Sequence, residues 1–198
     1  MARIEQDIPL IAGVDEAGRG PLAGPVVAGA VILGDRSLAD LVDSKKLTAA
    51  KREQVFEQIF ATAVAVGIGL ASVEEIDRMN IHHATLLAMQ RAVAALDVAP
   101  GECLVDGKFC PELAMPARAI VGGDASEIEI SAASIVAKVT RDRMMEKMHA
   151  SHPEYGFDRH KGYPTAAHLL ALKTHGVLPE HRRTFGPVAK LLAGRTVT

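Results

Sequence analysis

One stretch constrains this chain more than any other. It is Ile11-Ala12-Gly13-Val14-Asp15-Glu16-Ala17-Gly18-Arg19-Gly20-Pro21-Leu22-Ala23-Gly24-Pro25, followed by the apolar run Val26-Val27-Ala28-Gly29-Ala30-Val31-Ile32-Leu33. Two apolar segments joined by so short a glycine-rich link read as antiparallel neighbours, because a parallel pair needs a crossover of about a dozen residues or more. The first segment delivers two adjacent carboxylates, and the link carries a single arginine. A negative pair beside a tight cationic turn suits a metal ion on one side and a phosphate or sugar on the other.

Two nucleotide-binding readings compete and both fail. Gly18-x-Gly20-x-x-Ala23 has the spacing of a dinucleotide fingerprint, and Asp40 or Asp43 follows about 20 residues on. That fingerprint must open a helix whose N-terminus holds the pyrophosphate. Here Gly24-Pro25 and a β-branched strand follow instead, and Asp15-Glu16 would repel the pyrophosphate. No Gly-Lys-Ser/Thr closes a phosphate loop either.

The remaining pattern predicts a mixed α/β layer fold in one domain spanning residues 1–198. Strands are expected near residues 9–15, 25–33, 64–71, 103–106 and 117–121. Thr48 is positioned to cap a helix reaching about residue 63, with Val55, Phe56, Ile59 and Phe60 on one face. Ser72 with Glu75 has capping-box spacing, and Asn80 is placed to start a longer helix to about residue 96. A long helix over 130–149 begins with the small residues Ser131, Ala132, Ala133 and Ser134, which permit close approach to a sheet. Residues from about 150 to 198 read as a basic, aromatic loop and C-terminal helices.

Charge divides the chain unevenly. Residues 1–137 hold 11 basic and 19 acidic side chains, whereas residues 138–198 hold 11 basic and 5 acidic, plus six of the eight histidines. The C-terminal part could therefore grip a polyanion while cations neutralise carboxylates in the N-terminal part, although solvated helix faces produce the same imbalance. Cys103 and Cys110, without a nearby histidine pair, make a poor zinc site and read as inert thiols. With no secretory signal or long apolar span, they point to a reducing, cytoplasmic compartment and no membrane.

Four acids fall at or just beyond the ends of the expected strands: Asp15 and Glu16, Asp106, and Asp124 in Val121-Gly122-Gly123-Asp124. Converging carboxylates raise one another's pKa unless divalent cations compensate them. Hard oxygen ligands favour Mg²⁺ or Mn²⁺. A pair of such ions can drive in-line phosphodiester hydrolysis. Turn-capping aspartates would show the same spacing.

Six blocks in order resemble bacterial ribonuclease HII, the type 2 ribonuclease H. They are Gly13 to Val26, Asp43-Ser44-Lys45-Lys46-Leu47, Val105-Asp106-Gly107, Gly123-Asp124, Ser131 to Asp142, and His160-Lys161-Gly162-Tyr163-Pro164-Thr165. The resemblance implies a ribonuclease H-like fold: a five-stranded mixed sheet flanked by helices, with a C-terminal helical extension. It implies a metal-dependent endoribonuclease that cuts the RNA strand of RNA–DNA hybrids and nicks duplex DNA at embedded single ribonucleotides, leaving 3′-hydroxyl and 5′-phosphate ends. It implies Mn²⁺ or Mg²⁺, as two ions in the catalytic complex, on Asp15, Glu16, Asp106 and Asp124. Gly18, Arg19 and Gly20 would read ribose 2′-hydroxyls, and Tyr163 would pack on the deoxyribose after the RNA–DNA junction. Lys45 or Lys46 would contact phosphate. The chain reads as a monomer acting in replication and repair, with a sliding-clamp contact left unassigned.

Two positions depart from the family pattern: Gly122 stands where lysine is usual, and Thr184 where serine is expected in Arg182-Arg183-Thr184-Phe185. Lys138 and Arg141 could line a substrate face, or Lys138 could pair with Asp142 on the helix surface. His160 and His168 flank Tyr163 and could touch phosphate, while His82 and His83 read as helix-surface residues. Rival functions are a ribonuclease H-like nuclease for other nucleic-acid structures and a non-catalytic hybrid-binding protein.

Overall fold

A computed structural model describes residues 10–34 and 47–194 of the chain. The strands are β1 (Ile11–Ala17), β2 (Val26–Ile32), β3 (Ala65–Ala71), β4 (Glu102–Asp106) and β5 (Ala117–Ile120). The helices are α1 (Ala49–Thr62), α2 (Val73–Ala94), α3 (Ile128–Ser151), α4 (Phe157–His160), α5 (Ala166–His175) and α6 (Gly186–Gly194). The strands form a five-stranded mixed sheet in the order β3-β2-β1-β4-β5. β1 is antiparallel to β2, as the short glycine-rich link favours, and parallel to β4, as the long intervening segment with α1, β3 and α2 permits.

Helices cover both faces of the sheet, so β2 is buried at every position. On one face α2 packs Ile76, Ala84, Ala88 and Ala92 against Ala28, Ala30 and Ile32. On the other, α1 and α3 close over Val31 with Val55, Ile59, Ala133 and Val136. The start of α3 lies directly on the strands: a Cβ added at Gly13 would fall 1.9 Å from the Glu129 carbonyl carbon, and one at Gly29 would fall 2.6 Å from the Ala133 oxygen. These approaches explain both the strand glycines and the run of small residues that opens α3.

The expected caps are present. Thr48 accepts from the Lys51 amide, and Ser72 and Glu75 complete their capping box. Asn80, at φ 68°, breaks α2 in two and accepts from the amides of His82 and His83. Several expectations need correcting. β1 runs to Ala17, so Asp15 and Glu16 lie inside the strand and not beyond it. Phe60 is 46% exposed and lies off the buried face of α1. The expected aromatic loop after α3 contains helical turns at Pro153–Tyr155 and Phe157–His160. Tyr155 and Phe157 are buried there with Leu22, Met145, Leu172 and Val188 in a separate small core.

Candidate active site

The sheet register gathers the acids. β1 pairs Val14 with Val105 of β4, which sets Asp15 and Asp106 side by side one residue further on. β4 in turn pairs Asp106 with Ile120, and the chain then turns through Gly123–Ala125, bringing Asp124 to the same edge. Asp106 Oδ1 accepts from the Gly123 amide at 2.8 Å, tying the third acid to the turn that carries the fourth.

The electrostatics are those of carboxylates short of cations. Asp15 is 7% exposed and accepts from the Glu16 amide at 2.7 Å. Burial holds its carboxyl well above the usual range, and the charges of Glu16, Asp106 and Asp124 add to the rise. Burial raises Glu16 too, against the lowering effect of Arg19, whose Nη1 lies 3.2 Å from Glu16 Oε1. The other oxygen, Glu16 Oε2, is buried with no hydrogen-bond partner. A buried acceptor without a donor is costly. A divalent ion would satisfy it and lower the cluster's repulsion, so these residues fit a metal centre. Among the described residues no three acidic, histidine or cysteine side chains are already set to hold one metal ion.

Beside the acids lies a cleft of about 550 Å³ lined by Glu16, Arg19, Asp124, Lys138, Arg52 and Tyr163 among others. Gly20 forms part of its floor, and a Cβ there would come within 3.3 Å of Tyr163 Cε1. Tyr163, 45% exposed, therefore stands over the Gly18–Gly20 turn. A smaller recess on the far side of Arg19 is lined by Asp106, Lys108, Phe109 and His82, with the Phe109 and His82 rings 4.9 Å apart. Lys45 and Lys46 lie outside the described residues.

Two buried arginines shape the turn. Arg141 Nε, Nη1 and Nη2 donate to the carbonyls of Pro25, Lys161 and Ala23. Arg182 donates to the carbonyls of Gly18, Arg19 and Gly24. Gly18, at φ +99°, is required here because a Cβ would sit 2.0 Å from Arg141 Nε. Sequence reasoning missed this role: Arg141 was open to a surface reading and is 1% exposed, while Arg182 is 0% exposed. Lys138 does both things expected of it, lining the cleft and pairing with Asp142 at 2.7 Å. Gly122, at φ +71° with nothing within 4 Å of an added Cβ, caps the Gly123–Ala125 turn that carries Asp124.

His168 does not reach a phosphate; it is wholly buried, as is His181. His160 is half-buried and bonded to the Tyr155 carbonyl. Burial, with the neighbouring His168 next, pushes the His181 imidazole down to about 4, and burial also lowers His168. An unfolded histidine takes its proton near pH ~6.5. The unfolded chain thus binds more protons across the interval below that, and the stability these residues contribute falls as pH drops from about 6.5 toward 4. The urea-midpoint advantage of the wild type over His181→Gln should shrink on acidification through that window; a pH-independent difference contradicts it.

Structures of known proteins define the class first. Ribonuclease H2 from Pyrococcus horikoshii OT3 superimposes with a TM-score of 0.80 at 29% identity, covering 95% of this chain and 99% of its own. The ribonuclease HII of Archaeoglobus fulgidus, solved in complex with PCNA, gives 0.76 at 26% identity over 89% and 95%. The fold is that of a ribonuclease H-type nuclease. At the level of sequence, the Ribonuclease HII family profile matches residues 12–187, and the ribonuclease HII of Azoarcus sp. (strain BH72) is 61% identical over 188 residues, 94% of this chain and 92% of that protein. The chain belongs to the ribonuclease HII family.

Proposed function

We propose that this enzyme is an endoribonuclease that hydrolyses the RNA strand of RNA–DNA hybrids and nicks duplex DNA at single embedded ribonucleotides. Asp15, Glu16, Asp106 and Asp124 would hold two divalent ions, Mg²⁺ or Mn²⁺. When bound, such a pair would supply activation of a water and stabilisation of the leaving oxygen in an in-line displacement. Attack at phosphorus with departure of the 3′ oxygen leaves 3′-hydroxyl and 5′-phosphate ends.

The chain's own residues do the rest. Arg19 holds one oxygen of Glu16 and leaves the other turned into the buried cluster. The Gly123 amide orients Asp106. The carbonyls of Gly18 and Arg19 are turned inward onto Arg182, so the turn can offer the rest of its backbone to a ribose without a side chain in the way. A 2′-hydroxyl is the group that distinguishes RNA from DNA at one position. Tyr163 lies over Gly20, where a flat ring packs well on the next sugar if it lacks that hydroxyl.

The observation that carries this reading is the unsatisfied, buried Glu16 Oε2 in a four-acid cluster that adjoins the Gly18–Gly20 turn. We assign the protein to ribonucleotide removal in replication and repair, acting as a cytoplasmic monomer. Among the described residues no helix is long and apolar enough to cross a membrane. The deciding experiment compares three duplexes in Mg²⁺ or Mn²⁺: an all-RNA hybrid, a DNA duplex with one ribonucleotide, and plain DNA. Cleavage of the first two and not the third is expected. Cutting of plain DNA would favour a structure-selective nuclease, and binding without any hydrolysis would favour a non-catalytic protein.

A further inference from the structure

Behind Tyr163 lies a chain of buried imidazoles that the catalytic reading does not use. The Leu178 amide donates to His181 Nδ1 at 3.0 Å, so that nitrogen is an acceptor and the His181 proton sits on Nε2. His181 Nε2 then donates to His168 Nε2 at 3.1 Å. His168 must carry its own proton on Nδ1, which lies 3.0 Å from the Tyr163 carbonyl and donates to it. A second imidazole supports the preceding peptide. His160 Nδ1 accepts from the Gly162 amide at 3.1 Å, its Nε2 donates to the Tyr155 carbonyl, and its ring stacks on His168 at 4.5 Å. Every tautomer is fixed by a neighbour, and each ring keeps one nitrogen as an acceptor.

This chain ends at the same place as the clamp on the glycine-rich turn. His181 and Arg182 are consecutive; the first reaches Tyr163 through His168, and the second holds the carbonyls of Gly18, Arg19 and Gly24. The backbone reinforces the link. Arg182 N donates to the Leu22 carbonyl, Leu22 N donates to the Gly162 carbonyl, and Ala23 bridges His181. One dipeptide therefore registers both parts of the proposed ribose reader against each other.

We propose that His168 and His181 are positioning residues: they set Tyr163 over the Gly18–Gly20 turn and so tune the preference for a lone ribonucleotide over a continuous RNA strand. This rests on the function proposed above. A continuous RNA strand offers Tyr163 a ribose where a junction offers a deoxyribose, so an ill-placed ring penalises the junction substrate more.

The test is His168→Leu, which keeps volume and removes both hydrogen bonds, beside His168→Asn, whose amide keeps a donor for the Tyr163 carbonyl. Small displacements in a site cost rate steeply, so His168→Leu should lower kcat/KM about tenfold on the single-ribonucleotide duplex and less than about threefold on the all-RNA hybrid. His168→Asn should restore most of the difference. In a Tyr163→Ala background His168→Leu should add almost nothing, because residues acting through one another are not additive. Equal losses on both substrates, or full additivity with Tyr163→Ala, would overturn the proposal. Should His168→Leu fail to fold, His181→Asn breaks the chain one step earlier and carries the same comparison. If the wild type does not cut the single-ribonucleotide duplex, the functional reading fails; if it cuts and the substrate ratio of the variants is unchanged, only this inference fails.

Discussion

Asp15→Asn is expected to abolish cleavage and, in the same molecule, to stabilise the metal-free protein. The two effects have one origin. Asp15 is buried among Glu16, Asp106 and Asp124, and its carboxyl is held well above the ordinary range by that burial first and by those charges second. The folded chain thus keeps a proton that the unfolded chain has already released, and stability falls as pH rises through the interval between the unfolded and folded values. Above it the full cost of an ionised, crowded carboxylate is present. Asparagine cannot ionise and can still accept from the Glu16 amide, so it removes the cost and keeps the hydrogen bond.

Activity moves the other way. Losing even an outer partner of a metal ligand costs about 10–100-fold, and losing the ligand itself should cost on the order of 10³-fold or more. Melting curves at pH 8 provide the check. Without divalent ions the variant should melt higher than the wild type. With Mg²⁺ at about 100 times its Kd, the wild type should gain about 2.7 kcal/mol while the variant gains far less, so the order narrows or reverses. A variant that melts lower than the wild type in chelator, or that keeps its activity, would remove Asp15 from the assigned centre.

How much of this was legible beforehand depends on how local each cause is. Helix caps at Thr48, Ser72 and Asn80 were readable because a cap is decided within about four residues by side chains reaching nearby amides. The β1–β2 pair was readable for the same reason. The four acids were identifiable as a set, but their convergence is a property of register. Only the pairing of Val14 with Val105 and of Asp106 with Ile120 brings them to one edge, and no short window of sequence contains it. Asp15 and Glu16 belong to the strand for a separate reason: the antiparallel ladder with β2 continues through Asp15–Gly29 and Glu16–Ala28 to Ala17–Val27.

The C-terminal part was misread where residue type and location disagreed. A run of histidine, tyrosine and lysine has the composition of a nucleic-acid-facing loop, yet Tyr155, Phe157 and His168 turn inward. They do so because Leu22, Met145, Leu172 and Val188 supply apolar surface from four distant parts of the chain. Arginines bonded to carbonyls were invisible for a deeper reason. Every residue carries a carbonyl, so the partners of Arg141 and Arg182 leave no trace in side-chain pattern.

Arg182→Met should be among the most destabilising single changes in the protein. The side chain is wholly buried, and its guanidinium donates to Gly18, Arg19 and twice to Gly24, while lying 5.0 Å from the Phe185 ring centre. Burial, with the charge of Arg141 next, pushes its pKa down to about 9, so it is still cationic at neutral pH. Methionine fills much of the space but donates nothing. Each buried carbonyl left without a donor costs about 1–3 kcal/mol, so with water reaching one of the three the loss should be about 2–6 kcal/mol. Lysine places a single ammonium where a planar fork stood and cannot serve all three, so Arg182→Lys should recover only part of the loss. Urea titrations of the two variants and the wild type measure this directly. Because two of the freed carbonyls belong to the Gly18–Gly20 turn, the lysine variant should also lose more kcat/KM on the single-ribonucleotide duplex than its stability loss explains. A methionine variant within about 0.5 kcal/mol of the wild type would show that the turn holds its shape without the clamp, since substitutions away from such networks usually stay within about that range.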